Sequence, residues 1–289
     1  EPELEDVQAV FSMIVWSLVL IVCCKYLSLV TRINHNGEGG TFALLATIFG
    51  GPIALGATPK AVVTLAAMLG CSLLIGDGAI TPAISVLGAL EGLPLANRQL
   101  IVILALFILL LLFSLQRYGS QLIGRGSGPI MVLWFCTLGA LGAYNCVTHP
   151  AEAWHVWSAL AQPQLMWRYW ARGPHKGNKA WRSLGSIVLA VTGAEAMYAD
   201  MGHFGANVIR FMWFTLALPM LLLQYAGQAT ILIAQPESAG TIFYSAVPTP
   251  LFWPVLILAT LAAVIASQAM ISGVFSLISQ GHALGFIPC

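Results

Sequence analysis

Two carboxylates, Asp77 and Glu195, stand well inside long apolar stretches of this sequence. No Lys or Arg occurs in either stretch, so neither carboxylate has a basic partner within its own segment. An ionised carboxylate at the centre of a lipid bilayer costs roughly 3 kcal/mol on insertion scales, so such residues usually serve a function. We therefore favour a functional role for both carboxylates over a structural ion pair.

Hydroxyl side chains follow Asp77 at helical spacing. Thr81 and Ser85 stand four and eight residues later, so the three oxygen-bearing side chains form one stripe on a helix face. Pro82 has no N–H to donate to residue 78, which can leave that carbonyl oxygen free. These oxygens suit a monovalent hard cation, since magnesium and calcium sites usually recruit more carboxylates. Packing between helices, in which Ser and Thr are common, is the alternative for the two hydroxyls.

A second group of polar residues surrounds Glu195. Thr192 precedes it by three residues, so a helix places both on nearly the same face and lets Thr192 add a hydroxyl to the site. Further along, Asp200 and His203 are compatible with a metal site or an acid–base pair. A polar cap at a helix end on the membrane surface is the favoured interpretation of these two residues.

The composition indicates which elements must position these side chains. Hydrophobic residues make up 58% of the 289-residue chain and charged residues 8%, whereas a soluble domain has about 25% charged residues. A helical membrane span needs about 20 mostly apolar residues. We predict an all-α polytopic membrane protein with about seven transmembrane helices, at residues 9–31, 61–90, 98–115, 129–147, 184–200, 208–234 and 251–279.

Two of the predicted spans contain helix-breaking residues beside their carboxylates. Residues 76–85 of the second span include two glycines and a proline, and Gly193 lies two residues before Glu195 in the fifth span. Such segments release backbone carbonyls that lipid cannot satisfy, so they survive only against protein or a wet cavity. We expect both spans to be discontinuous and to face the interior of the helix bundle.

The connection at residues 148–183 holds five of the nine tryptophans and five Lys or Arg residues. Indole side chains prefer the headgroup level of a membrane, so this stretch is expected to lie along the membrane surface. An ordinary exposed loop is the alternative.

The charged residues argue against a nucleic-acid partner, and their distribution does not show which way the chain is oriented in the membrane. The net charge of +1 offers no basic surface for a nucleic acid. Lys and Arg divide six and six between the two sides of the seven-span arrangement, so the positive-inside rule gives no orientation.

Four longer motifs, which include the candidate residues, make the sequence resemble the KUP/HAK/KT potassium uptake permeases. The resemblance runs from about residue 9 to residue 286, with the motifs in the same order as in the family. The motifs are NGEGGTFA at Asn36–Ala43, GDGAITPAISV at Gly76–Val86, TGAEAMYADMGHFG at Thr192–Gly205 and ASQAMISG at Ala266–Gly273.

The resemblance implies a potassium and proton symporter in the plasma membrane. Its fold is expected to be an inverted-repeat bundle of the amino acid-polyamine-cation superfamily type, with the site near the membrane midplane. The resemblance implies that Glu195 carries the proton and that the loop Asn36–Gly40 is cytoplasmic. The residues that match the potassium ligands of the family are Asp77, Thr81, Ser85 and Thr192.

The resemblance covers family spans two to eight, so residues 1–289 are expected to form a single, incomplete transmembrane domain. The family's first span, which carries a Gly-Asp-Ile-Gly-Thr-Ser-Pro-Leu-Tyr type motif, has no counterpart in the sequence, and neither do its last spans and cytosolic C-terminal domain. The expected partners are potassium, the proton, the lipid bilayer and a second copy of the chain in a homodimer. No cofactor and no nucleic acid are expected; potassium and the proton are the transported ions.

Three other functions compete with transport. A non-functional or incomplete transporter fragment is the main alternative. A seven-helix receptor is disfavoured, because two interrupted, acid-bearing helices indicate an ion path and no loop cysteines are placed to staple an outer surface. An intramembrane enzyme is disfavoured as well, because the sequence offers no nucleophile and base pair and no metal triad.

Overall fold

The computed structural model describes residues 3–33, 39–51, 56–93, 98–116, 121–171, 178–199, 205–283 and 285. Within these ranges the regular elements are all helices and no strand occurs, as predicted. The α-helices are α1 (Leu4–Ser17), α2 (Thr41–Phe49), α3 (Ala57–Leu90), α4 (Arg98–Gln116), α5 (Gln121–Thr148), α6 (Pro150–Ser158), α7 (Gln164–Ala171), α8 (Asn178–Leu189), α9 (Ala194–Ala199), α10 (Ala206–Met212), α11 (Leu218–Ala234), α12 (Ile242–Ser245) and α13 (Phe252–Ala283).

The continuous helix Leu4–Arg32, here called the first rod, changes from α-helical to π-helical winding partway along. α1 continues directly into a π-helix over Leu18–Leu29 and ends in a 3-10 turn at Val30–Arg32. A second π-segment, Trp213–Ala217, joins α10 to α11. The two π-segments touch, because Nε1 of Trp213 donates to Sγ of Cys23 at 3.3 Å. The π-helix is rare and appears mostly as single-turn bulges inside α-helices, and the apolar pattern of the sequence does not predict these two segments.

Five helical rods in the described ranges are long and apolar enough to cross a membrane. They confirm the predicted polytopic membrane protein and coincide with five of the seven predicted spans. The predicted third span contains a shorter apolar helix, Gln99–Ser114, and the predicted fifth span is divided between α8 and α9. The five rods are Leu4–Arg32, Ala57–Leu90, Gly126–Thr148, Ala206–Ala234 and Thr249–Ala283.

The two acid-bearing spans differ in continuity. α8 ends at Leu189, and a turn leads to Gly193, whose φ of 87° is in the left-handed region that favours glycine, before α9 begins. The predicted interruption of the fifth span is therefore confirmed. The same expectation for the second span is wrong, because α3 is one α-helix of 34 residues with Pro82 inside it. The proline removes one backbone hydrogen bond, and the helix continues on both sides of it.

Contacts between residues divide the chain into two compact units. The first unit consists of Glu1–Cys24, Pro129–Thr192 and Phe211–Leu258. The second unit consists of Lys25–Gly128, Gly193–Arg210 and Ala259–Cys289. Asp77 and Glu195 both belong to the second unit, whereas Thr192 is the last residue of its segment of the first unit.

In the first unit, α1 packs one apolar stripe against α6 and α11. The stripe residues Val7, Phe11 and Val15 recur every four positions, so they share one face, and they contact Val156 and Ala226. All five side chains are buried. Burial of a large apolar side chain stabilises a fold by about 1.5 to 3 kcal/mol, so this stripe fixes the place of α1 in its unit.

The tryptophan-rich connection also belongs to the first unit and forms α6, α7 and the start of α8. Tyr169 of α7 is buried there, whereas Trp154, Trp167 and Trp181 are 74%, 77% and 75% exposed. Short helices with one packed face and exposed indoles are typical of segments at a membrane surface. The location of this connection at the membrane surface stays a prediction.

In the second unit, α2 is held between α3 and α13. Phe42 and Leu45 of α2 pack against Cys71 of α3 and Leu277 of α13, and all four are buried. α3 also packs along α4 through the buried residues Val86, Leu90, Ile101 and Ala105.

Candidate functional site

Asp77 and Thr81 lie together on α3, as the four-residue spacing predicts. Oγ1 of Thr81 donates a hydrogen bond of 2.7 Å to Oδ1 of Asp77, and Ser85 follows two turns after the carboxylate. All three side chains are half-buried. The residues that directly follow them in sequence are the fully packed ones: Gly78, Pro82 and Val86. The oxygen stripe therefore borders the packed face of α3 and does not lie within it.

The helices α3 and α13 approach each other closely beside Asp77. A Cβ atom at Gly78 would clash with Cγ2 of Val274, so a larger residue at this position would force one of the two helices or the Val274 side chain to shift. Gly78 therefore allows close packing within a continuous helix. Pro82 still deprives the Gly78 carbonyl of its helical donor, because proline has no N–H.

Glu195 is held by two hydroxyl groups from other parts of the chain. Oη of Tyr26 donates to Oε2 at 2.5 Å, and Oγ1 of Thr41 donates to Oε1 at 2.6 Å. Tyr26 lies in the π-helix that ends the first rod, and Thr41 is the first residue of α2. A carboxylate near a helix N-terminus is stabilised by the helix dipole. Sequence reasoning did not identify either hydroxyl.

Two further side chains, Tyr198 and Arg210, contact the end of the first rod. Tyr198, on the same helix as Glu195, donates from its hydroxyl to the carbonyl of Ile33 at 2.8 Å. Arg210 donates from Nε to the carbonyl of Leu27 at 2.8 Å and from a terminal nitrogen to Oγ1 of Thr31 at 2.6 Å. The last carbonyls of a helix lack some of their helical donors, and Tyr198 and Arg210 donate to carbonyls in this region; the Leu27 carbonyl also accepts from Oγ1 of Thr31 at 2.8 Å.

Thr192 lies apart from this arrangement. It follows the end of α8, its side chain is exposed, and its hydroxyl donates to the carbonyl of Leu189 at 2.9 Å. The expectation that Thr192 and Glu195 share a helical face is wrong, because the left-handed Gly193 separates them. A role for Thr192 in coordinating potassium stays a prediction.

The hydrogen-bond donors that contact the two carboxylates of the site are neutral hydroxyl groups. In the part of the chain that the structure describes, neither Asp77 nor Glu195 forms an ion pair, and hydroxyl groups are their hydrogen-bond partners. No group of three or more His, Cys, Asp or Glu able to hold a metal ion occurs among the described residues. Asp200 and His203 lie outside the described residues, as does most of the loop Asn36–Gly40.

Comparison with known proteins places these residues within one family of sequences. The profile of the K+ potassium transporter integral membrane domain matches residues 1–289. The chain is 47% identical over 286 residues to a probable potassium transport system protein Kup 2 of Syntrophobacter fumaroxidans. It is 44% identical over 292 residues to a probable potassium transport system protein Kup 1 of Chromobacterium violaceum.

The alignments with these two relatives are uneven in their coverage. They include 98% and 99% of this chain but 43% and 44% of the relatives. The chain therefore spans a little under half the length of these curated relatives. No solved structure matches the chain.

Proposed function

This chain belongs to the K+ potassium transporter family, and on that premise we propose that it takes up potassium together with protons across the plasma membrane. Its family and the five long apolar rods of its described ranges make it a multi-pass integral membrane protein. The family match supports potassium as the substrate.

The observation that carries the potassium site is the hydrogen-bonded pair of Asp77 and Thr81 on an apolar helix. Positive charge stabilises an ionised carboxylate in a membrane span, and no cationic side chain contacts Asp77 among the described residues. A bound monovalent cation provides that charge. The hydroxyl oxygens of Thr81 and Ser85 and the carbonyl of Gly78 add neutral oxygens of the kind that replace the hydration shell of potassium.

We assign the proton to Glu195, because both of its carboxylate oxygens accept hydrogen bonds from neutral hydroxyls. A carboxylate paired with Lys or Arg resists protonation, since the opposite charge favours the ionised form. Glu195 has no such partner within the described ranges, so it can gain or lose a proton without breaking an ion pair. In this assignment Asp77 binds the cation while Glu195 changes its charge.

The experiment that tests the proposal measures rubidium uptake by a complete family chain that contains this segment. We expect Asp77→Asn to abolish uptake while membrane insertion is unchanged, because asparagine keeps the shape of aspartate and removes its charge. Glu91→Gln is the matched control, since Glu91 is an exposed carboxylate at the end of the same helix. Rubidium flux at the wild-type level in Asp77→Asn would show that the cation binds elsewhere.

A further inference from the structure

The two hydrogen bonds to Glu195 come from elements that are far apart in sequence. Tyr26 is 169 residues away and contacts one carboxylate oxygen, and Thr41 is 154 residues away and contacts the other. Both hydroxyl side chains and the carboxylate are half-buried in the second unit. One side chain on α9 therefore links the end of the first rod to the start of α2.

The other titratable groups around Glu195 have different contacts. Cys71 of α3 and Tyr198 of α9 lie near the carboxylate; the Cys71 thiol contacts the Thr41 hydroxyl, and the Tyr198 hydroxyl donates to the carbonyl of Ile33. Three described cationic side chains lie at this end of the first rod, and the third of them, Arg32, is exposed. Arg210 donates to Leu27 and Thr31, and Nζ of Lys25 lies 4.9 Å from the centre of the Tyr26 ring.

The protonation state of Glu195 decides how many of these links can exist. An ionised carboxylate is an acceptor at both oxygens, so it can bind both hydroxyls at once. When it takes up a proton, one oxygen carries the hydrogen and becomes a donor. The hydroxyl that faces that oxygen then meets a hydrogen atom and a poorer acceptor, so the bond that it donates is weakened or lost.

We propose that Tyr26 and Thr41 are positioning residues that clamp the ionised Glu195, and that proton uptake by Glu195 releases one side of this clamp. The proposal rests on the proposed role of Glu195 as the proton carrier. Thr41 opens α2, and Tyr26 lies in the π-helix, so release frees one of these two elements from α9. Proton binding is thereby converted into a change in the contacts between helices.

The test measures the pH at which Glu195 changes its charge, with and without each hydroxyl. Membrane vesicles that contain the complete family chain are treated with a carbodiimide, which modifies protonated carboxyl groups, and labelling at Glu195 is quantified by peptide mass spectrometry across a pH series. A hydrogen bond to the ionised form favours that form. We expect Tyr26→Phe and Thr41→Val each to move half-maximal labelling to higher pH by about one unit.

Matched controls separate this effect from general loss of stability. Tyr198→Phe removes a neighbouring hydroxyl that does not bind Glu195, and Thr47→Val removes a hydroxyl of α2 that donates to its own helix. We expect both controls, and the conservative Thr41→Ser, to keep the wild-type labelling midpoint. If Thr41→Val accumulates poorly, Thr41→Ala also removes the hydroxyl and replaces it in the series.

The outcomes distinguish the clamp from the transport proposal. An unchanged labelling midpoint in both Tyr26→Phe and the Thr41 variant that lacks the hydroxyl would overturn the clamp. Rubidium uptake in the same vesicles tests the proton role separately, because Glu195→Gln should make uptake independent of external pH. If uptake by Glu195→Gln stays pH-dependent while the midpoints shift, the clamp is supported and the proton role of Glu195 fails.

Discussion

The Thr81 hydroxyl can serve the carboxylate and the cation at the same time. Its hydrogen is donated to Asp77, which leaves its oxygen lone pairs available as a ligand. This arrangement orients the carboxylate and keeps a neutral oxygen beside it. Ser85 lies one turn beyond Thr81 and can contribute only its own oxygen to the same stripe.

Removal of these hydroxyls should weaken cation binding to different degrees. In a complete family chain, we expect Thr81→Val to raise the apparent KM for rubidium about tenfold, which corresponds to about 1.4 kcal/mol, because it removes a ligand and an orienting bond. Ser85→Ala should raise it less, and Thr81→Ser should stay near wild type. The measurement is concentration-dependent rubidium uptake normalised to expression. An unchanged KM in both Thr81→Val and Ser85→Ala would assign the two hydroxyls to helix packing.

The residues of the candidate site differ in how far the sequence could predict their contacts. Asp77 and Thr81 are one helical turn apart, so regular helix geometry alone brings them together. Tyr26 and Thr41 reach Glu195 across 169 and 154 residues, and no periodicity reports a contact at that separation. Thr41 does lie inside the motif Asn36–Ala43, which is a signal that this position matters without showing what it touches.

At the scale of elements, the break between α8 and α9 depends on one residue. Gly193 has a φ of 87° and no other atom near the position of a Cβ, so the backbone conformation, and not crowding, requires glycine there. Gly185 of α8 also has open space around it but lies in an α-helix. The two glycines therefore form a matched pair in which only the backbone conformation differs.

Alanine at these two positions should change stability in opposite directions. We expect Gly193→Ala to destabilise the protein by about 1 to 2 kcal/mol, because the left-handed conformation disfavours a Cβ atom. Gly185→Ala should stabilise it by about 0.5 to 1 kcal/mol, because alanine is the better helix former. Thermal unfolding of the detergent-purified protein, followed by tryptophan fluorescence, measures both. A rise in Tm for Gly193→Ala would indicate that α8 and α9 form one continuous helix.

The long apolar segments were predicted correctly as membrane-spanning helices. The prediction failed where the same residues are compatible with two backbone conformations, a continuous or broken helix in one case and α or π winding in another. The five long rods follow from their apolar composition, which hydrocarbon demands of any spanning segment. Two glycines and a proline favoured a break in α3, yet Gly78 serves packing against Val274 and the helix continues. The π-helix Leu18–Leu29 has the same kind of apolar sequence as an α-helix, so the apolar pattern does not distinguish the two windings; Cys23 and Tyr26 within it make contacts with residues far away in sequence.

For the whole molecule, the path of the chain through the membrane depends on whether α4 and the broken pair of α8 and α9 each cross it. The apolar stretch Gln99–Ser114 of α4 is about 24 Å long at 1.5 Å per residue, whereas the hydrocarbon core is about 30 Å thick. A short helix can still cross if the bilayer thins or flanking residues reach the interface. The broken pair of α8 and α9 can cross only if protein or a wet cavity surrounds its open turn.

If α4 and the α8–α9 pair both cross, then the ends of α3, α6 and α11 lie on the same side of the membrane, opposite the end of the first rod. The location of these four ends can be measured with single cysteines in a protein whose native cysteines are replaced by alanine. The substituted positions, all of them exposed, are Glu91, Trp154, Glu237 and Arg32. With the loop Asn36–Gly40 in the cytoplasm, as the family resemblance implies, we expect an impermeant maleimide to label the first three in intact cells. The cysteine at Arg32 should react only after permeabilisation. Opposite labelling of Trp154 and Glu91 would show that α4 does not cross, and opposite labelling of Glu237 and Trp154 would show the same for the α8–α9 pair.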